Sequence, residues 1–322
     1  MVAGLEGAGT APAVAGATAT HTAATVTRTA TAHGASADET VDLLTADGLR
    51  LCGRWRFPSG HGDAPATVVV VHGFSASQDD LAVCALADDL AAAGYEVLTY
   101  DARGHGASEG MSAVGSTEHI DVACAVDVAS VRGLPVVLVG VSMGGVAVAG
   151  YLADRTRGDD RSVDAAGAGV GVGAGDGGHA GGHEGGHGVA GAVLVSTPSR
   201  WRMRPSPLGL VTAVLTRTRL GRWVASRRLR VRIAPSWRVG EPLEALVERI
   251  DVPLAVVHGT GDRLLRPEHG RRLHASAAGP SRLELVEGMR HGIDVSKLHA
   301  TVGAVGWVLS WARAAASAAP ER

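Results

Sequence analysis

Leu134-Pro135-Val136-Val137-Leu138-Val139-Gly140-Val141-Ser142-Met143-Gly144-Gly145 decides how this chain is read. Leu134 to Val139 is a short, unbroken apolar run rich in β-branched residues, the pattern of a strand buried on both faces. It leads directly into a Gly-rich turn, after which residues 146–152 are small or apolar and suit a helix. A strand that turns so sharply into a helix crowds its own backbone, and glycines at 140 and 144 remove side chains that would clash. The hydroxyl of Ser142 then sits at the apex of the turn, the arrangement of a nucleophile elbow. Glycine is common here, 45 of 322 residues, so the pentapeptide alone decides little and the weight falls on its partners.

A serine hydroxyl is a weak nucleophile until a base takes its proton and a third group orients that base. Downstream, residues 253–258 read as a strand followed by Gly259-Thr260-Gly261-Asp262. Residues 282–286 read as another, followed by Gly288-Met289-Arg290-His291-Gly292. Ser142, Asp262 and His291 therefore each follow a strand, in the order nucleophile, acid, base. The run at residues 192–195 ends in Ser196-Thr197-Pro198, which leaves Asp262 as the orienting carboxylate. Upstream, residues 67–71 form a third buried run that ends in His72-Gly73-Phe74. Acyl transfer needs backbone N–H groups aimed at a developing oxyanion, and Met143 and Phe74 are placed to supply them. His72 is read as a brace of the turn.

The remaining elements follow from periodicity. Residues 40–57 read as a hairpin around Asp47-Gly48, 79–93 as a helix stopped by Gly94, and 95–100 as a strand. Ile120, Cys124, Val128 and Val131 space a helix over 117–131, and Val295, Leu298, Val302, Val305 and Leu309 space a final one. Strands alternating with helices imply an α/β class with a doubly wound, mostly parallel sheet and reacting groups at the strands' C-terminal ends.

With these pieces in this order, the chain resembles the α/β-hydrolase superfamily. It is similar to its esterase, monoacylglycerol-lipase-like and serine-aminopeptidase-like branch. The resemblance rests on His72-Gly73-Phe74, the run from Tyr100 to Ser108, Gly140 to Gly145, Gly259 to Asp262, and His291-Gly292, and covers roughly residues 41–157 and 189–313. It implies that the segment from Asp101 to Ser108 shapes the site rather than reacts. It also implies an inserted helical cap at about 199–245. One departure is the stretch at about 156–189, longer and richer in glycine than the usual connection.

Domain organisation is read accordingly. Residues 1–38, dominated by Ala, Thr and Gly, are expected to be a disordered tail. Residues 39–322 form the hydrolase domain, with a flexible Gly/His-rich insert at about 156–189. In that insert His179, His183 and His187 are too loosely spaced among glycines to organise a metal site. The cap region between 199 and 240 holds Trp201, Trp223 and Trp237, eleven arginines and no Asp or Glu. Most of these arginines are expected on a solvated face, and two or three to attract an anionic substrate or an acidic surface.

A formal net charge of −2 argues against a nucleic-acid partner. Three scattered cysteines, Cys52, Cys84 and Cys124, give no disulfide framework or zinc cluster and suit a cytoplasmic setting. No run is apolar enough to span a bilayer. The expected activity is cleavage of carboxylic esters with an apolar acyl or alkyl part, of lysophospholipase or carboxylesterase type, without metal or organic cofactor. The substrate is a small or lipid-like ester, and the cap arginines point to a negative group on it. A thioesterase or acyltransferase would use the same triad. A catalytically silent ligand-binding member would be expected to lack one of its residues.

Overall fold

The computed structural model describes residues 38–60, 62–167, 188–200, 207–237 and 240–318. In chain order the elements are β1 (Glu39–Leu44), β2 (Arg50–Arg56), β3 (Thr67–Val71), α1 (Leu81–Ala92), β4 (Glu96–Tyr100), α2 (His119–Ser130), β5 (Val136–Val141) and α3 (Met143–Gly167). There follow β6 (Val189–Val195), α4 (Pro207–Arg217), α5 (Arg219–Val224), a π-turn at Ala225–Leu229, α6 (Leu243–Val247), β7 (Leu254–Gly259), α7 (Glu268–Ser276), β8 (Ser281–Val286) and α8 (Leu298–Ala318).

The eight strands form one sheet in the order β1-β2-β4-β3-β5-β6-β7-β8. β1 and β2 pair antiparallel and form the expected hairpin; β2 joins β4 antiparallel, and every pairing from β4 to β8 is parallel. The doubly wound, mostly parallel sheet read from the sequence is what the chain folds into.

The apolar runs explain the layers. Side chains alternate across a strand, and in the central strands both sets are apolar. Val69 and Val71, Val136 and Leu138, Ala192 and Leu194, and Leu254 and Val256 pack into a core with α2, α3, α6 and α7. Their neighbours Val68, Val70, Val137, Val139, Val193, Val195, Ala255 and Val257 pack into a second core against α1 and α8. Each of the buried valines and leucines among them contributes about 1.5–3 kcal/mol of burial.

The winding also selects the site. From β3 the chain steps to β4 on one side and returns to β5 on the other. The C-terminal ends of β3 and β5 therefore flank the point where strand order reverses, the natural crevice of an open α/β sheet.

One boundary differs from expectation. α3 continues through Gly167, so the first dozen residues of the expected insert are helical. Ala, Arg and Asp dominate from 153 to 166 and are tolerated in a helix; dense glycine begins only at Gly167. Residues 168–187, with His179, His183 and His187, lie outside the described residues, as does the tail over 1–37.

Candidate active site

The turn from β5 into α3 is built as its residues suggest. Ser142 adopts φ +52, a left-handed conformation costly for a residue with a side chain. It is held there by the Ser142 N–H donating to Val195 O at 2.9 Å. A Cβ on Gly144 would stand 2.1 Å from Val71 O, and one on Gly140 2.6 Å from Gly145 Cα. No side chain fits at either position, so the two glycines are what allow the elbow to form against the end of β3.

Ser142 Oγ donates to His291 Nε2 at 3.1 Å, and His291 Nδ1 donates to Asp262 Oδ2 at 2.8 Å. The other carboxylate oxygen, Oδ1, accepts the N–H groups of Leu264 at 2.9 Å and Leu265 at 2.8 Å. Asp262 is fully buried, while His291 is a quarter exposed. Burial alone would raise the Asp262 carboxyl. The hydrogen bond and charge of His291, the Leu265 amide and nearby His258 outweigh it and hold the carboxyl below its ordinary value. The three side chains expected from the sequence are thus in one hydrogen-bonded line, across loops that follow β5, β7 and β8.

The loop after β3 approaches from the opposite side. A Cβ on Gly73 would lie 3.3 Å from Val141 O and 3.5 Å from Ser142 Cβ, so this loop runs directly alongside the elbow. It places Phe74 and Ser142 in the wall of one cavity. Among the described residues, neither the Phe74 nor the Met143 N–H has a hydrogen-bond acceptor.

Buried groups fix this loop. His72 donates from Nδ1 to Gly73 O at 2.8 Å and accepts the Ala102 N–H on Nε2 at 3.0 Å, the bracing geometry expected for it. Desolvation holds His72 neutral by lowering its pKa. Asp101 accepts the Gln78 N–H at 2.8 Å and the Ala107 N–H at 2.9 Å, tying the loop after β4 to the loop carrying Phe74. The segment from Asp101 to Ser108 is thus a frame for the site.

The cavity has a volume of about 210 Å³. Besides Ser142, His291 and the Gly73–Phe74 turn it is lined by Ala76, Ala82, Val83, Val141 and Ile293, with Asp80 on its wall. Phe74 also touches the cap: with Leu215 and Trp237 it packs on a small core of Val114, Ala225, Val231 and Ile233. The cap is strapped down by Arg232, whose N–H donates to Gly104 O at 2.7 Å and whose carbonyl accepts the Ser112 N–H at 2.7 Å. Residues 201–206 and 238–239 of the cap lie outside the described residues.

Two buried residues carry the site without having been singled out in the sequence. Glu118 accepts from Ser112 Oγ at 2.7 Å and from the N–H groups of Ala113 at 2.9 Å and Gly115 at 2.8 Å. It thereby seats the 112–117 loop on Met143, whose Sδ lies 3.8 Å from Ser112 Oγ. Nothing in its local sequence marks it. His258 stands behind Asp262, donating from Nε2 to Leu265 O at 3.0 Å. Its signal was available: a polar residue at the end of an otherwise apolar strand, four residues before the acid. No group of three or more His, Cys, Asp or Glu among the described residues could hold a metal ion.

An eight-stranded, mostly parallel sheet with a serine elbow at the switch point and a His-Asp pair on the following strands defines an α/β hydrolase. The sequence profile of the serine aminopeptidase S33 family matches residues 62–295, and the chain belongs to that family. No curated protein matches the chain in sequence. Among solved structures, an esterase from Pyrococcus furiosus superposes with a TM-score of 0.59 at 18% identity, over 88% of this chain and 97% of that one. An esterase from Rhodococcus sp. ECU1013 gives 0.54 at 23% identity, over 84% and 98%. An esterase from Butyrivibrio proteoclasticus, solved with ferulic acid bound, gives 0.53 at 16%, over 84% and 99%. These likenesses are of fold.

Proposed function

We propose that the protein hydrolyses carboxylic esters with a small apolar acyl or alkyl part, through an acyl-enzyme on Ser142. The observation that carries this reading is the line Asp262–His291–Ser142 opening into a cavity with Phe74 in its wall.

In the ester complex, His291 Nε2 takes the Ser142 proton as Oγ attacks the carbonyl carbon. Asp262 keeps the Nδ1 proton in place and stabilises the imidazolium that forms. The Phe74 and Met143 N–H groups, without another acceptor among the described residues, receive the negative charge developing on the carbonyl oxygen. His291 then protonates the leaving alkoxide, and the alcohol departs. Water repeats the sequence on the acyl-enzyme, and the acid is released with Ser142 restored.

The cavity wall of alanines, valines and Ile293 suits a short hydrocarbon part. The charge on that wall is the carboxylate of Asp80, so a neutral substituent fits there, and the cap arginines are left to meet anions elsewhere. The fold supports this activity by similarity too: the three solved structures above are esterases. The test is fluorophosphonate labelling followed by p-nitrophenyl esters of graded acyl length. Label on Ser142 and a rate maximum at short chains are expected. Labelling that survives Ser142→Ala, or activity only on long chains, would overturn the reading.

A further inference from the structure

The cap carries a surface that ester hydrolysis does not use. α4 and α5 form a helical hairpin so close that a Cβ on Gly221 would stand 2.0 Å from Val214 O. Its inner side, through Ala225 and Leu215, packs on the Val114 and Ile233 core beside Phe74. Its outer side leaves large apolar side chains in solvent: Leu220 is 71% and Trp223 59% exposed, with Val211 at 51% and Val214 at 47%.

Around them the charge is of one sign. Arg217, Arg219, Arg222, Arg227, Arg228 and Arg230 are in the same stretch, and residues 207–237 contain no Asp or Glu. Among the described residues Arg219, Arg227, Arg228 and Arg230 have no ion-pair partner. Arg222 donates only to Arg217 O at 3.2 Å, and Arg217 lies over the Trp237 ring at 5.7 Å. The surface is therefore positive although the whole chain has a formal net charge of −2.

We propose that this outer face of the cap docks on an anionic lipid surface. The two features call for the two layers of such a surface. Exposed Leu220 and Trp223 lose water by entering the boundary between headgroups and acyl chains, where tryptophan is favoured. The unpaired guanidinium groups meet headgroup phosphates, which need no fixed register. A polyanion such as a nucleic acid would satisfy the arginines and leave the apolar side chains wet. No helix among the described residues is long and apolar enough to cross a membrane, so the contact is at the surface. Docking does not depend on the serine chemistry.

The full-length chain and its Ser142→Ala variant are sedimented with vesicles of phosphatidylcholine alone or of equal parts phosphatidylcholine and phosphatidylglycerol. Both proteins should bind the anionic vesicles, and less so as salt rises. The double variant Arg227→Gln/Arg228→Gln should lower partitioning about fivefold per charge removed. Leu220→Ser and Trp223→Ser, both exposed and tolerable to the fold, should each lower it about tenfold or more. With brominated lipid, Trp fluorescence should be quenched in the parent and spared in Trp223→Phe. No binding, equal binding to neutral vesicles, or indifference to these substitutions would overturn the proposal. So would a dimer in solution that Trp223→Ser disperses and vesicles do not, which would assign the face to a second copy. Ester turnover on soluble substrates is measured in parallel. Absence of turnover in the parent chain, or its persistence in Ser142→Ala, would count against the triad reading and not against docking.

Discussion

His258 Nε2 lies 3.6 Å from Asp262 Oδ2, yet its proton goes to Leu265 O at 3.0 Å, the carbonyl of the residue whose N–H holds Asp262 Oδ1. The imidazole therefore acts on the acid through the backbone that grips it. Burial lowers its pKa and keeps it neutral. His258→Ala should loosen the 262–265 loop and reduce kcat roughly 10–100-fold, the scale for a misplaced catalytic group. KM should change little. His258→Gln, which can still donate to Leu265 O, should recover part of the loss. Steady-state kinetics at a temperature where all three proteins are folded checks this; equal kcat in the alanine and parent proteins would reduce His258 to packing.

Asp262→Asn tests the line of proton transfer. The amide oxygen would go to the Leu264 and Leu265 N–H donors, which need an acceptor. Its NH2 would then face His291 Nδ1, which would have to accept rather than donate. The ring proton would move to Nε2, and Ser142 could no longer be deprotonated. Loss of roughly 10⁴ in kcat is expected with the fold intact. Circular dichroism and single-turnover assays on the same preparation decide it.

The site was legible where chemistry is local. Gly140 to Gly145, Asp262 and His291 each announce themselves as a small polar cluster at the end of an apolar run, and the structure brings all three together. What was not legible depends on residues far apart in sequence. Glu118 works by binding a loop that is folded over Met143, and the strap at Val231 to Ile233 exists only because it meets His105 and Ser112. Strand order was likewise hidden, since the six parallel strands, short and of similar length, carry no label of their neighbours. The length of α3 is hidden for a different reason: Gly158 and the dense glycines from Gly167 on make 156–189 look uniformly irregular, although 153–166 is mostly Ala, Arg and Asp.

The elbow makes a prediction about stability. Gly144→Ala would force a methyl to 2.1 Å from Val71 O, a contact only backbone movement can relieve. A loss of roughly 3 kcal/mol or more, or failure to fold, is expected. Gly303→Ala is the control: it lies exposed in α8 with nothing within 4 Å of an added Cβ. It should gain about 0.5–1 kcal/mol by favouring the helix. Urea midpoints of the two variants should move in opposite directions; parallel losses would mean that the α3 turn is not special.

Acid should unfold this protein earlier than carboxylate titration alone predicts. Four histidines, the buried His72, His105 and His258 and the half-buried His269, are held neutral chiefly by desolvation, His105 from 6.5 down to about 3. Below pH 6.5 the unfolded chain protonates these rings more readily than the native one does. The unfolded state then binds more protons, so stability falls as pH drops. For His105 that loss continues down to about pH 3. Asp121, whose buried carboxyl beside Arg103 is pushed up to about 6, acts in the opposite sense over part of this window. Depressed Asp262 stays charged there and contributes its own loss only lower, around and below the ordinary Asp value of 3.8. Four rings against one carboxyl set the sign. Urea midpoints should fall steadily from pH 7 to pH 4. Replacing His105 by Gln should flatten that slope whatever it does to stability at pH 7. A midpoint independent of pH over this range would show that the rings protonate inside the fold.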